Sequence, residues 1–420
     1  MGTHAGLLRL AEDLVAQNTV SHPSTKEEDH STRTIVADVV VPYLRKHGFT
    51  IRELPYWVSY KEGDKPPVPS REPLEGWVEK VNLVAQKGEG DPHLVLSAHM
   101  DTVSANPEEW TVTKDGPFKL TLQDGKYYGR GIADMKLFLA LAMVAGGEID
   151  ESELEYPFAL YFTSDEEIGC VGVSQLFGIQ ADGSRSSDVA VPKYVIIGEP
   201  TELAPVNVHK GYMFLQIELK GKTGHSAKPD LGRSVVKLAL PKVIECLNRT
   251  ELRLRFINDP LFDPSYPTLN QGVVTTGSDA AKNKVAEKCE MHIEIRPVPG
   301  QDVDEMFRVV QLAVAGAIRD VAGITAEVKP MRRFTPPMVT PVESEIVQKA
   351  AQLFGKTVQA VNYNTEGGIF RSLGAETVIW GPGSIDQAHK NDEYVSASWL
   401  DESVVQLYAR AIREMCGRRR

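Results

Sequence analysis

Four short, almost wholly apolar runs each end in, or lead into, side chains that bind protons or metal ions. They are Leu94 to Ala98 before His99 and Asp101, Phe158 to Thr163 before Asp165, Glu166 and Glu167, Tyr194 to Ile197 before Glu199, and Glu376 to Trp380 before the loop carrying His389. Runs without polar alternation are strands covered on both faces, the mark of a parallel sheet between helices. A helical apolar pattern at Leu137 to Val144 separates the first two runs, so the sequence predicts an α/β fold with a mainly parallel sheet flanked by helices. In such sheets ligands bind at the carboxyl ends of strands, which puts these His, Asp and Glu residues on one edge. Asp134, after the glycine-rich turn of YYGRGIADMK, is expected to open a helix at the same edge.

The rhythm changes after Glu199-Pro200. An alternating strand near Tyr212 to Lys220, a helical stretch Arg233 to Leu247, strands near Gln271 to Thr276 and Met291 to Arg296, a helix Val303 to Val321 and a strand Thr325 to Val328 predict an inserted α+β lid or dimerisation domain. The parallel pattern resumes at Glu345 to Phe354 and closes with a helix at Glu402 to Met415. The expected division is a discontinuous metal-binding domain, 1–204 and 331–420, with the insert at 205–330. Pro55 to Trp77, rich in prolines, aromatics and charges, is expected to be a surface insertion.

A net charge of −11 argues against nucleic acid or an anionic membrane as partner, because both demand clustered Lys and Arg. No apolar run approaches the roughly 18 residues that span a bilayer. The N-terminal stretch carries acids and a helical period instead of a signal peptide's apolar core, and the four cysteines are widely spaced. A reducing cytoplasm is the expected setting, and any metal ligands fall among His, Asp and Glu.

Each strand-end group has an ordinary reading by itself: N-caps for Asp134 and Asp165, solvated acids for Glu166 and Glu167, a surface imidazole for His389, an incidental pair for His99 and Asp101. Jointly they predict a cluster of carboxylates that repel one another unless a cation sits among them. Two His and three carboxylates form the mixed N/O set suited to Zn²⁺, Co²⁺ or Mn²⁺.

These motifs, in this order and over nearly the whole chain, resemble the metallohydrolase family that includes acetylornithine deacetylase, succinyl-diaminopimelate desuccinylase, aminoacylase and glutamate carboxypeptidase. The resemblance implies two divalent ions, zinc before cobalt or manganese, with Asp134 bridging, His99 and Glu199 completing one site, and Glu167 and His389 the other. It makes Asp101 the partner that orients the first His and Glu166 the general base. In the insert, KGKTGHSAKP is similar to the family's lid motif, which implies that His225 stabilises the oxyanion in a homodimer. Asn283 and the Arg296 of MHIEIRPVPG match the part that binds the substrate's carboxylate.

The resemblance thus implies a hydrolase that cleaves the amide of an N-acyl amino acid. EEWTVTKDGPF, DEEIGCVGV, NYNTEGGIF and GPGSIDQAHKNDEYV lean towards an N-acetylornithine-type deacetylase, in keeping with arginine biosynthesis. Ala98 and Leu137 stand where family members commonly have Gly. A dipeptidase, carboxypeptidase or desuccinylase on the same scaffold is the nearest alternative, and a non-catalytic binding protein the alternative from another class. That last reading expects a lost ligand or base, and none is missing.

Overall fold

The computed structural model describes residues 3–21, 32–59, 69–75, 77–180, 183–276 and 283–418. The chain divides into two compact units, one made of Met1–Asn207, Val339–Gln359 and Thr365–Arg420, the other of Val208–Met338 and Ala360–Asn364.

The first unit is built on a ten-stranded sheet. Its centre is parallel, in the spatial order Glu376–Gly381, Tyr194–Pro200, Leu94–His99, Phe158–Thr163. These are the four apolar runs of the sequence, and almost all of their residues are buried. Parallel register brings their carboxyl ends to one edge. Helix Leu137–Gly147 is apolar on every side because it is enclosed by the sheet and by helices Thr3–Ala16 and Glu402–Cys416. Its Phe138 packs so closely on the sheet that a Cβ at Gly198 would lie 1.8 Å from the ring. Gly198 therefore lets the helix seat against the strand that ends in Glu199.

Beyond Phe158–Thr163 the sheet turns antiparallel. Val78–Lys87 pairs with it and with Thr50–Val58, to which Pro69–Ser70 adds. The expected surface insertion at Pro55 to Trp77 is thereby corrected at its start. Pro55 lies inside a nine-residue strand, opposite Val81, at a position where no strand among the described residues pairs on the outer side, so that the missing N–H costs no ladder bond there. The middle of that segment lies outside the described residues. Asp134 is a second correction: its φ of −126° and ψ of 89° are extended, and the regular helix begins only at Leu137.

The second unit is a four-stranded antiparallel sheet in the order Thr268–Thr276, Lys288–Arg296, Met213–Lys220, Thr325–Pro330. Strict alternation puts Met213, Leu215, Ile217 and Leu219 in a core shared with helices Leu240–Leu254 and Val303–Ile318. The helix expected over Arg233 to Leu247 is broken into Val235–Leu238 and Leu240–Leu254, with Pro241 in the first turn of the second piece, where a proline's lack of an N–H is tolerated.

Candidate active site

His99 is the last residue of its strand and is buried. Its Nδ1 lies 3.0 Å from the main-chain oxygen of Asp101 and 3.6 Å from that residue's carboxylate. The nitrogen that fixes the tautomer thus donates to the carbonyl of Asp101, and the carboxylate is turned to another use. Its Oδ1 accepts from the Glu166 amide at 3.1 Å and its Oδ2 from the Glu167 amide at 3.2 Å.

The other ring nitrogen, Nε2, faces the acids. It lies 2.9 Å from Asp134 Oδ1 and 3.8 Å from Glu199 Oε1. The second carboxylate oxygen of Asp134 points to His389 Nε2 at 3.4 Å, and that nitrogen is 2.9 Å from Glu167 Oε2. Asp134 therefore stands between two imidazoles, one oxygen towards each, with Glu199 on one side and Glu167 on the other. Donor atoms of His99, Asp134 and Glu167 all fall within 4.8 Å of one another. His389 reaches this place from a left-handed backbone, φ 62°, the kind of local strain that a surrounding structure must hold.

The electrostatics are those of crowded anions. Burial pushes Glu199 well above the usual carboxylate range, with the charge of Asp134 adding to it. Glu166 is pushed up to about 8, chiefly by burial, with Glu167, Glu366 and Asp101 raising it and His99 opposing. Asp134 goes the other way: burial opposes, but hydrogen bonds from His389 and His99 hold it far below the usual range. His389 rises to about 11 through its contacts with Asp134 and Glu167, and His99 rises despite burial because Asp134 and Glu199 surround it. Both shifts show how strongly the surrounding carboxylates favour positive charge at this place. This donor set, two nitrogens and three carboxylates, fits hard to borderline divalent ions.

The remaining sequence candidates belong to the second unit. His225 is exposed, its Nδ1 accepting from the Ala227 amide at 3.1 Å. Asn283 is beside it in space, its carbonyl accepting from the Ser226 amide at 2.9 Å. Arg296 ends its strand with Nε on Glu294 at 2.6 Å and Nη1 on Asn364 at 2.7 Å, its guanidinium stacked over Tyr212.

Sequence reasoning passed over two buried acids. Glu393 accepts from Arg130 Nη1, Gly131, Ala133 and, at 3.2 Å, Asp134, so it holds the turn that presents Asp134. Glu366 lies beneath the site, pushed up to about 7 by burial. Both fall inside stretches quoted above, NDEYV and NYNTEGGIF; two glycines follow Glu366, whereas Glu393 sits beside Asn391 and Asp392 and carries no local signal that separates it from a surface acid.

A profile of the peptidase family M20/M25/M40 matches residues 95–414. The chain belongs to that family. It is 32% identical to acetylornithine deacetylase of Pasteurella multocida over 97% of this chain and 98% of that one. An M20 family metallo-carboxypeptidase from Sulfolobus solfataricus shares the fold at 19% identity, with a TM-score of 0.68 over 97% of this chain and 98% of that one. A dinuclear metal binding peptidase of the family from Bacillus subtilis matches at 14% identity and a TM-score of 0.60, over 98% of this chain and 99% of that one. The M20 chain described here is a hydrolase acting on amide bonds, on the fold that its sequence predicts. No helix among its described residues is long and apolar enough to cross a membrane.

Proposed function

We propose that this chain is a cytoplasmic, homodimeric deacetylase of N-acetylornithine-type substrates that works with two divalent ions, zinc in first place and cobalt or manganese as substitutes. The observation that carries the reading is Asp134, whose two oxygens face two imidazoles at 2.9 and 3.4 Å. His99, Asp134 and Glu199 would hold one ion, and Asp134, Glu167 and His389 the other. When bound, the ions supply a Lewis acid for the acyl oxygen and a water of lowered pKa. The full-length relation to a protein named acetylornithine deacetylase supports the acyl amino acid.

The chain's own groups then have distinct tasks. Glu166, its main chain clamped by Asp101, takes the proton of the attacking water and returns it to the departing amine. His225 meets the negative charge that develops on the acyl oxygen, contributed in the family manner by a neighbouring protomer. Arg296 and Asn283 hold the α-carboxylate, which decides which amide is presented. Glu294 takes the Nε donor of the guanidinium and Asn364 an Nη1 donor, and Nη2 is the donor we assign to the substrate carboxylate. The dimer is supported by the second unit's edge strand, where Val273 and Val274 are exposed, and by exposed Leu252, Phe256 and Leu312 on its helical side.

The test is a substrate panel with zinc or cobalt added, read as amine release. N-acetylornithine is expected to lead the N-acetyl amino acids, and dipeptides to be poor. Preference for dipeptides would move the chain to the peptidase reading, and failure on every N-acyl amino acid would end the proposal.

A further inference from the structure

The buried middle of strand Val78–Lys87, residues 80–85, carries two polar residues, Lys80 and Asn82, on one face among Val81, Leu83, Val84 and Ala85. A fully buried Lys in a sheet is rare without a specific anion, because the desolvation cost must be met by a partner. Here the anion is Asp165, at 3.2 Å from Lys80 Nζ, with neither side chain exposed. The register explains the meeting. Val78–Lys87 runs antiparallel to Phe158–Thr163 with Leu83 opposite Phe162, and continuing that pairing brings Lys80 opposite Asp165.

Asp165 is the residue before Glu166. Its φ of 57° is left-handed, so the chain leaves its strand through a conformation uncommon for a non-glycine residue, though one that Asp adopts more readily than most. Among the described residues its carboxylate is held by Lys80, by Tyr56 Oη at 2.9 Å from Oδ2 and by Ser21 Oγ at 2.7 Å from Oδ1. Ser21 Oγ also lies 2.8 Å from Asp101 Oδ2, the carboxylate that receives the Glu166 and Glu167 amides. Asn82 closes the other side, its Oδ1 accepting from the Ser164 amide at 3.0 Å while its Nδ2 donates to Gly172 at 2.7 Å. Gly172 passes so near that a Cβ there would lie 1.8 Å from the Ser164 oxygen.

We propose that Lys80, acting through Asp165 and with Tyr56 beside it, is a positioning residue for the general base, fixing the left-handed turn from which Glu166 is presented. Lys80 acts through Asp165. Its charge fastens the Asp165 carboxylate, Asp165 fastens the turn, and Ser21 joins that turn to Asp101. Removal of Lys80 lets the Glu166 carboxylate wander, which costs turnover and leaves ground-state binding of the substrate in place.

The inference rests on Glu166 being the base, and the experiment separates the two claims. Lys80→Met and Tyr56→Phe are made in the otherwise unchanged protein and again with Glu166→Gln, each variant checked for bound zinc and for its thermal transition. Glu166→Gln that keeps full turnover removes the base reading itself. With that reading intact, Lys80→Met is expected to lower kcat about 10- to 100-fold, with KM within about threefold and zinc content unchanged. Tyr56→Phe should lower kcat by a smaller factor, about three- to tenfold. In the Glu166→Gln background neither substitution should lower the residual rate further, because a device that acts through the base has nothing left to position. An unchanged kcat, an equal loss in both backgrounds, or a loss explained by missing zinc overturns the proposal. Where Lys80→Met does not fold, Tyr56→Phe carries the same outcomes.

Discussion

The first unit buries Asp101, Asp134 and Glu199, half-buries Glu166 and Glu167 and ties even its exposed His389 to two acids, whereas the second leaves His225 exposed, with Arg296 paired to Glu294 at a strand end. Asp101 holds two amides, Asp134 faces two imidazoles, and Glu393 receives four donors. A group that must meet a cation at fixed geometry needs neighbours that hold it in place. A group that meets charge appearing only during the reaction, or only on the substrate, can wait in solvent. The two units thus differ in how firmly their candidate groups are held.

The largest effect is expected where preorganisation is greatest. Asp134→Asn removes the anion that both imidazoles face, so zinc content should fall and kcat/KM should drop by about a thousandfold or more. Bound zinc and turnover near those of the parent would break the comparison. His225→Ala should lower kcat by roughly 100- to 1,000-fold while zinc stays bound, as expected for a group that acts only on developing charge. Zinc loss in that variant would place His225 with the preorganised set.

Arg296→Lys comes next. A point charge cannot replace the planar fork, so KM for N-acetylornithine should rise about tenfold with kcat little changed. A fall in kcat at constant KM would mean that Arg296 serves the chemistry instead of the carboxylate. The smallest effect concerns charge crowding in the metal-free protein. The Glu366 carboxyl is raised to about 7 by burial, so its protonated form favours the fold. The stability from that proton is complete below the unfolded-state value of about 4.3 and is lost as pH rises through about 7, at no more than roughly 1.4 kcal/mol per pH unit. Glu366→Gln cannot ionise and should lose less stability between pH 5 and pH 8 in denaturant titrations. An identical loss would show that Glu366 is not one of the crowded acids.

How much of this was legible in the sequence follows from the same contrast. The four apolar runs stand as the parallel strands of the sheet, because burial on both faces leaves a local signature, and the groups at their ends are read from adjacency alone. Glu345–Phe354 and Val303–Ile318 follow from helical periodicity within a few residues. What escaped depends on distant pairing. Lys80 meets Asp165 through strand register, and Glu393 meets the Gly131 turn through the small sheet of Thr121–Gln123, Lys126–Tyr128 and Tyr394–Ser396, neither of which any local pattern encodes. Pro55 misled for a related reason: a proline reads as a loop unless the strand is known to lie at an edge. Within the metal cluster the conformation of Asp134 was the part not readable, since a glycine-rich turn before an apolar helix looks like an ordinary helix start.

The central claim is that the buried cluster binds two ions while Glu166, held beside it, moves the proton. It is tested most directly by measuring bound zinc and the rate of amine release from N-acetylornithine for Glu166→Gln beside the parent protein. The account predicts two equivalents of zinc in both and a loss of about 100- to 10,000-fold in kcat for the variant. Turnover within a few-fold of the parent, with both ions bound, would contradict it.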